Sequence, residues 1–327
     1  MTFATITVDT EPDNVWGDFR SRGLENIRAL QRFHEFMAEL GVPPTYLITY
    51  SVASDPDAVS RLQRFARNGP LEVGAHLHAW ETPPYLPDGS DRQYPVFAHD
   101  LPSELVHEKL EMLTHRIAQN FARPTSYRAG RFGFAGEHIR ILESLGYTVD
   151  TSITPLEDRS AKYGLPASLG GRGGRDYRRA PVEPYHPAYE NDLIPGSSRL
   201  LEVPVTAGPT RSWPALLAFH RHGPELLQRV LRKTRFSEVV TASPSEFDWP
   251  RLERLLTTCL HSQRTLLNFM LHSSEVMAGG APWTRDNAAV DTLYDRLRCC
   301  IGWLRDHARA RFVCLAQLTH QPIRLRQ

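Results

Sequence analysis

Apolar and polar positions along the chain change period repeatedly, and each change predicts an element. Phe3 to Val8 is a short apolar run with strand spacing, whereas Leu24 to Leu40 carries Ile27, Leu30, Phe33, Phe36, Met37 and Leu40 at helical spacing. Gly41 follows as a helix-ending residue. The same reading predicts strands over Thr45–Tyr50, Leu71–His78, Thr125–Arg128, Thr148–Thr151, Leu200–Val205, Thr265–His272 and Arg311–Leu315. Helices are predicted over Ala58–Ala66, Ser103–Phe121 with Ser103 as N-cap, Glu137–Leu145, Pro214–Val230, Trp249–His261 and Ala288–Ala308. Strand and helix alternating over the whole length implies parallel pairing through crossover helices. Seven or eight such units suit a closed barrel better than an open sheet. The stretch from Pro155 to Arg199 has no clear period, and so long a loop in a compact domain is more often a lid or binding loop than a linker. One domain, residues 1–327 with an insertion at about 155–199, is the expectation.

Composition narrows the classes. At 327 residues, 41% hydrophobic and 23% charged, the chain has the makeup of a globular protein with a sizeable core. A net charge of +1 argues against a nucleic-acid binder, although arginines gather at Arg172–Arg179 and Arg221–Arg235. The first residues enter a strand-like run without a basic and apolar leader, and no stretch approaches the length of a membrane span. Cys259, Cys299, Cys300 and Cys314 have no C-x-x-C spacing, so buried reduced thiols in a cytoplasmic chain are expected. Trp213-Pro214-Ala215-Leu216-Leu217, followed by Arg221, Arg229, Arg232, Lys233 and Arg235, reads either as a barrel helix with a charged outer face or as a helix lying peripherally on the inner membrane. Oligomeric state leaves no signal.

In a parallel barrel, chemistry sits at the carboxyl ends of the strands. There the sequence places Asp9 and Glu11, then His76-Leu77-His78-Ala79-Trp80, Arg128, Asp150, and His272-Ser273-Ser274-Glu275. His76 and His78 alternate to one face, about 7 Å apart along the chain, and a carboxylate from a neighbouring strand would complete a His-His-acid set for a divalent metal. Other chemistries lack their signatures: there is no G-x-S-x-G elbow, no G-x-G-x-x-G after a strand and no H-E-x-x-H.

The order acid pair, His pair, Arg, Asp, late His resembles that of the NodB-homology polysaccharide deacetylases, carbohydrate esterase family 4, over Thr7 to Glu275. The stretches HLHAW and HSSE are closest to the branch associated with cell-surface polysaccharide biosynthesis. The resemblance implies a deformed (β/α)7-8 barrel, a divalent metal, zinc in most cases, and hydrolysis of an N-acetyl group from an amino sugar. By that resemblance Asp9 in TVDTE is the catalytic base and Glu11 the metal carboxylate. His76 is the first metal histidine, and His78 the second, because Trp80 stands where the family spaces it. Arg128 in YRAGRF pairs with the catalytic Asp, without the Pro-Tyr that usually follows. Asp150 is the acid of the fourth motif and His272 the general acid. Glu275 or Asp150 would hold the His272 tautomer, or Glu275 is a plain exposed loop acid. The expected partner is a carbohydrate carrying an N-acylated amino sugar, lipid-linked or nucleotide-linked; the aromatic stretches at Trp80–Tyr85, Pro184–Pro187 and Pro282-Trp283 read either as sugar contacts or as packing on the barrel rim, and the arginines at Arg131 and Arg172–Arg179 either as phosphate contacts or as a solvated loop. Another C–N bond, such as a formamido sugar or a cyclic amide, is the alternative substrate. A non-catalytic carbohydrate-binding descendant would have lost Asp9 or His272, and both are present.

Overall fold

The longest strand among the described residues is the first. In the computed structural model, which describes residues 1–13, 17–234 and 236–326, β1 (Phe3–Thr10) has every residue buried. That burial fits a parallel strand with a packed interior on one face and helices on the other. Six further strands run parallel in one sheet: β2 (Pro44–Ile48), β3 (Glu72–Leu77), β4 (Ser126–Ala129), β5 (Val149–Asp150), β6 (Leu201–Glu202) and β7 (Leu266–His272). Their order is β7-β1-β2-β3-β4-β5-β6, and β8 (Arg311–Phe312) pairs the start of β1 beside β2. This is an α/β half-barrel sheet, consistent with the expected deformed (β/α)7-8 barrel.

The closed ladder expected from periodicity is not there: the sheet ends at β6 on one side and β7 on the other. Pro204 has no N–H to offer a ladder at this point. Backbone and side-chain bonds around Asn268 bridge the gap instead. The Thr206 N–H donates to Asn268 O (3.0 Å), the Asn268 N–H to Thr206 Oγ1 (2.8 Å), and Asn268 Nδ2 to Val203 O (3.2 Å) and Thr151 Oγ1 (2.8 Å).

Aspartates start three of the surrounding helices. Asp55, Asp248 and Asp286 each accept the N–H three residues on, at 2.8, 3.1 and 2.9 Å, and Pro56 and Pro250 stand in the first turn after the first two. Each such cap is worth about 1 kcal/mol. Several predicted boundaries shift, the following three with a change of element or cap. The strand expected to reach Tyr50 ends at Ile48, and Tyr50–Ser54 is a short helix. Ser103 is the first helical residue rather than the cap, which falls on Pro102 and has no side-chain bond. The single helix expected over Pro214–Val230 is two, Pro214–His222 and Glu225–Lys233, broken where Pro224 cannot continue the hydrogen-bond ladder. Cys259, Cys300 and Cys314 are buried as expected, but Cys299 is exposed, because neighbouring residues of a helix face different ways.

The long irregular stretch folds onto the barrel. It contains the antiparallel pair Pro187–Ala188 and Asn191–Pro195, and it buries Tyr177, whose hydroxyl donates to Phe132 O (2.5 Å), and Tyr185, which bonds Asp192 O.

Candidate metal and catalytic centre

Strand register brings the polar residues to one level. Asp9 lies opposite His272 across the β1–β7 pair, and His76 lies opposite Arg128 across β3–β4. Alternation on β1 turns Thr7 and Asp9 to the same face, and Glu11, one residue past the strand, joins them beside His76 and His78.

Glu11, His76 and His78 converge. One ligand atom from each lies within 4.8 Å of the others, and all three residues are buried. Glu11 Oε2 is 2.9 Å from His78 Nε2 and 3.6 Å from His76 Nε2. A tetrahedral zinc with bonds of about 2.0–2.1 Å keeps its ligands roughly 3.3–3.5 Å apart, so these donors have the spacing and chemistry of a divalent-metal site. Two further observations fit. His76 Nδ1 lies 3.1 Å from Arg128 O, which accepts its hydrogen bond and leaves Nε2 as the nitrogen turned toward Glu11. Among the described residues, Glu11 Oε1 is buried without a partner. The His78 ring is held differently. Its Nδ1 has no partner either, and it stacks on Trp80, with centroids 4.2 Å apart. Trp80 is itself pinned by donating its indole N–H to Phe19 O (2.8 Å).

Asp9 stands between this group and His272. Its Oδ1 takes Arg128 Nη1 at 2.5 Å, while Oδ2 lies 3.9 Å from both His76 Nε2 and His272 Nε2. Arg128 is fully buried and spends its other donors on Thr7 Oγ1 (2.9 Å), Thr151 Oγ1 (3.2 Å) and Thr151 O (2.9 Å). His272 is held from its far side. Glu275 Oε1 is 3.2 Å from Nδ1, Glu275 Oε2 accepts the His272 N–H at 3.1 Å, and Trp283 donates to the same carboxylate. Glu275 is therefore a buried orienting group, not an exposed loop acid. His272, 9% exposed against 2–3% for Asp9, Glu11, His76 and His78, is the member of the cluster that solvent reaches most easily.

Asp150 is placed elsewhere. It pairs in register with Tyr127 and Glu202, one residue out of phase with Arg128, so its side chain turns away from the cluster. It takes the Ser152 hydroxyl at 2.5 Å, and burial, shared with the neighbouring Glu202, pushes its carboxyl up to about 6. Its chain neighbour Thr151 is the residue that reaches Arg128. Thr7 and Thr151 were both missed by the sequence reading. The alternation within TVDTE, which turns Thr7 with Asp9, was the available signal for the first of them.

The expected substrate-contact residues divide as well. Trp80 and Tyr185 are buried, so neither offers a face to a sugar, while Trp283 and Tyr85 are half-buried. Four of the five arginines are engaged within the protein, and Arg179 is exposed. Arg131 bonds Pro95 O and Tyr163 O, and Arg172, Arg175 and Arg178 pair with Glu137 (3.0 Å), Asp192 (2.6 Å) and Asp176 (2.6 Å).

No protein-family model matches the chain, and no curated protein matches it. Solved structures do. A candidate glycoside hydrolase/deacetylase from Parabacteroides distasonis matches 98% of this chain and 70% of its own, at 14% identity and a TM-score of 0.57. The 4-alpha-glucanotransferase of Thermococcus litoralis matches 99% of this chain and 40% of its own, at 12% identity and a TM-score of 0.52. The likeness is one of fold. Two differently named activities share the architecture, so the chemistry has to be argued from the side chains. Among the described residues, no helix is long and apolar enough to cross a membrane.

The cluster's electrostatics follow from its burial. Burial opposes the charge of Glu11, but hydrogen bonds from His76 and His78 and the charge of His272 hold its carboxyl well below the usual range. Burial likewise opposes the His76 and His272 imidazolium forms. Asp9 and Glu11 outweigh it at His76 and raise that pKa, and Glu275, with help from Glu11 and Asp9, lifts His272 to about 9. His272 thus carries its proton at neutral pH. A folded-state value above the unfolded one, near 6.5, stabilises the fold fully below about pH 6.5 and loses that contribution as pH rises through about 9. Replacing Glu275 with glutamine should lower the His272 titration midpoint by more than one pH unit, about 1.4 kcal/mol or more. An NMR titration of the metal-free protein that finds the midpoint unmoved would remove Glu275 from this role.

Proposed function

We propose that this protein is a metal-dependent hydrolase that removes an N-acyl group, acetyl foremost, from an amino sugar in a glycan or in a lipid-linked or nucleotide-linked saccharide. The whole chain, 1–327, would act as one barrel with an insertion at about 155–199. One observation carries the reading: a buried carboxylate–imidazole–imidazole set lies next to an Arg-held Asp and, across that Asp, a Glu-held His. Glu11, His76 and His78 would hold a divalent ion, zinc by the donor set, which supplies a Lewis acid for the amide carbonyl and lowers the pKa of water.

The remaining residues divide the proton work. Arg128 occupies Oδ1 of Asp9 and aims Oδ2 inward, where it takes a proton from the attacking water. Amide hydrolysis also has to protonate nitrogen, because an amide anion is a very poor leaving group. His272, fixed through Nδ1 by Glu275, whose carboxylate favours its charged form, gives its Nε2 proton to the departing amine. The cycle leaves Asp9 protonated and His272 neutral. Proton transfer across the 3.9 Å from Asp9 Oδ2 to His272 Nε2 resets both.

The test is acetate release from a panel of N-acetylated sugar nucleotides and oligosaccharides, before and after chelation, with zinc added back. Activity should vanish on chelation and return with zinc; release that survives complete metal removal overturns the proposal. His76→Ala and His78→Ala should each lose bound metal, and wild-type zinc content in either variant would strike that residue from the ligand set.

A further inference from the structure

The helix Glu225–Lys233 is turned the wrong way for a globular protein. A surface helix normally buries its apolar stripe and exposes its polar one. Here Leu226, Leu227 and Val230 are 72%, 50% and 47% exposed, while Gln228 faces the protein and donates Nε2 to Gly223 O (3.0 Å) and His220 O (3.3 Å). Nearby, Trp213 (54% exposed) and Phe236 (36%) pack edge to face, centroids 5.7 Å apart, with the Arg211 guanidinium 4.6 Å from the Phe236 ring centroid. Five of the eleven large hydrophobic residues that the described chain exposes fall in this one excursion. They are a patch, not scatter.

The excursion leaves the barrel after the strand Ala207–Pro209 and returns along its antiparallel partner Val239–Thr241, beside the break between β6 and β7. It is strongly basic: between Thr210 and Ser237 the sequence has six Lys or Arg and one acidic residue, Glu225. Arg211, Arg229, Arg232 and Lys233 are exposed around the leucines and the Trp213–Phe236 pair; Arg235 lies outside the described residues.

We propose that this face, formed by Trp213, Leu226, Leu227, Val230 and Phe236 together with the exposed cations of the same segment, docks the protein on an anionic lipid surface. Exposed leucines flanked by Lys and Arg, with an aromatic pair at the edge, match the demands of the interface between headgroups and acyl chains. Each cation close to such a surface adds attraction that salt screens. Charge argues against a second copy as occupant: a two-fold contact through this face would set one cationic segment against another. The sequence left an ordinary charged barrel helix and an interfacial helix both open. The outward leucines decide for the second.

The experiment is vesicle flotation of the intact protein, independent of any catalytic assay. Vesicles containing phosphatidylglycerol should carry the protein, vesicles of phosphatidylcholine alone should not, and added salt should weaken the binding. Leu226→Asp with Leu227→Asp, and separately Arg232→Glu with Lys233→Glu, should each reduce binding about tenfold or more. These side chains are exposed, so circular dichroism should stay unchanged. Trp213→Phe should abolish the lipid-induced blue shift of tryptophan emission. Failure of the wild-type protein to bind anionic vesicles overturns the proposal. So does equal binding to both lipids, or a concentration-dependent dimer that the leucine variant abolishes.

Discussion

Replacing Asp9 with asparagine is expected to lower turnover about 10²–10⁴-fold, the range spanned by loss of a positioned general base. Asparagine keeps the shape and an oxygen for Arg128, but it cannot take the proton that Oδ2 receives. Bound metal should stay at wild-type stoichiometry, because the proposed ligands are Glu11, His76 and His78. Metal content and acetate release, measured on the same folded sample, separate two failures. Full turnover would remove Asp9 as the base, and loss of metal would make it a ligand. His272→Ala is the companion experiment and should keep the metal while losing turnover to a similar degree.

Arg128→Met should produce the largest loss of stability from a single substitution in the cluster, about 3–5 kcal/mol. Methionine fills much of the volume but leaves the buried Asp9 carboxylate and the acceptors at Thr7 and Thr151 without their donor. The loss reads directly from urea unfolding at neutral pH. Arg128→Lys should recover only part of it, since one ammonium cannot reproduce a fork that reaches three residues at once. A methionine variant within about 1 kcal/mol of wild type would show that the charge network adds little to the fold.

The local chemistry of this protein was open to reading in its sequence because the strand period is two. Thr7, Asp9 and Glu11, and likewise His76 and His78, must share a face once the segments are strands, and parallel strands put their carboxyl ends together. That logic brought six candidate residues to one place. It failed for Asp150 by a single position: periodicity locates a strand to within a residue or two, and a shift of one residue turns every side chain to the other face. Register, set by the pairing of Asp150 with Tyr127 rather than Arg128, exchanged its place with that of Thr151.

By itself, then, the sequence determined the α/β alternation, the helix over Trp249–His261, and the identity of the acid, imidazole and guanidinium groups at the strand ends. These depend on backbone period, capping and residue chemistry, which act over a few residues. Only the tertiary structure decided what depends on contacts between distant segments. It assigned Glu275 rather than Asp150 to His272, set Trp80 against the His78 ring, and bridged β6 and β7 through Asn268 where a proline forbids a ladder. It also turned Leu226, Leu227 and Val230 outward. An amphipathic pattern says that a helix has two faces, and only the packing of its neighbours, here Gln228 against Gly223 and His220, says which face meets the protein.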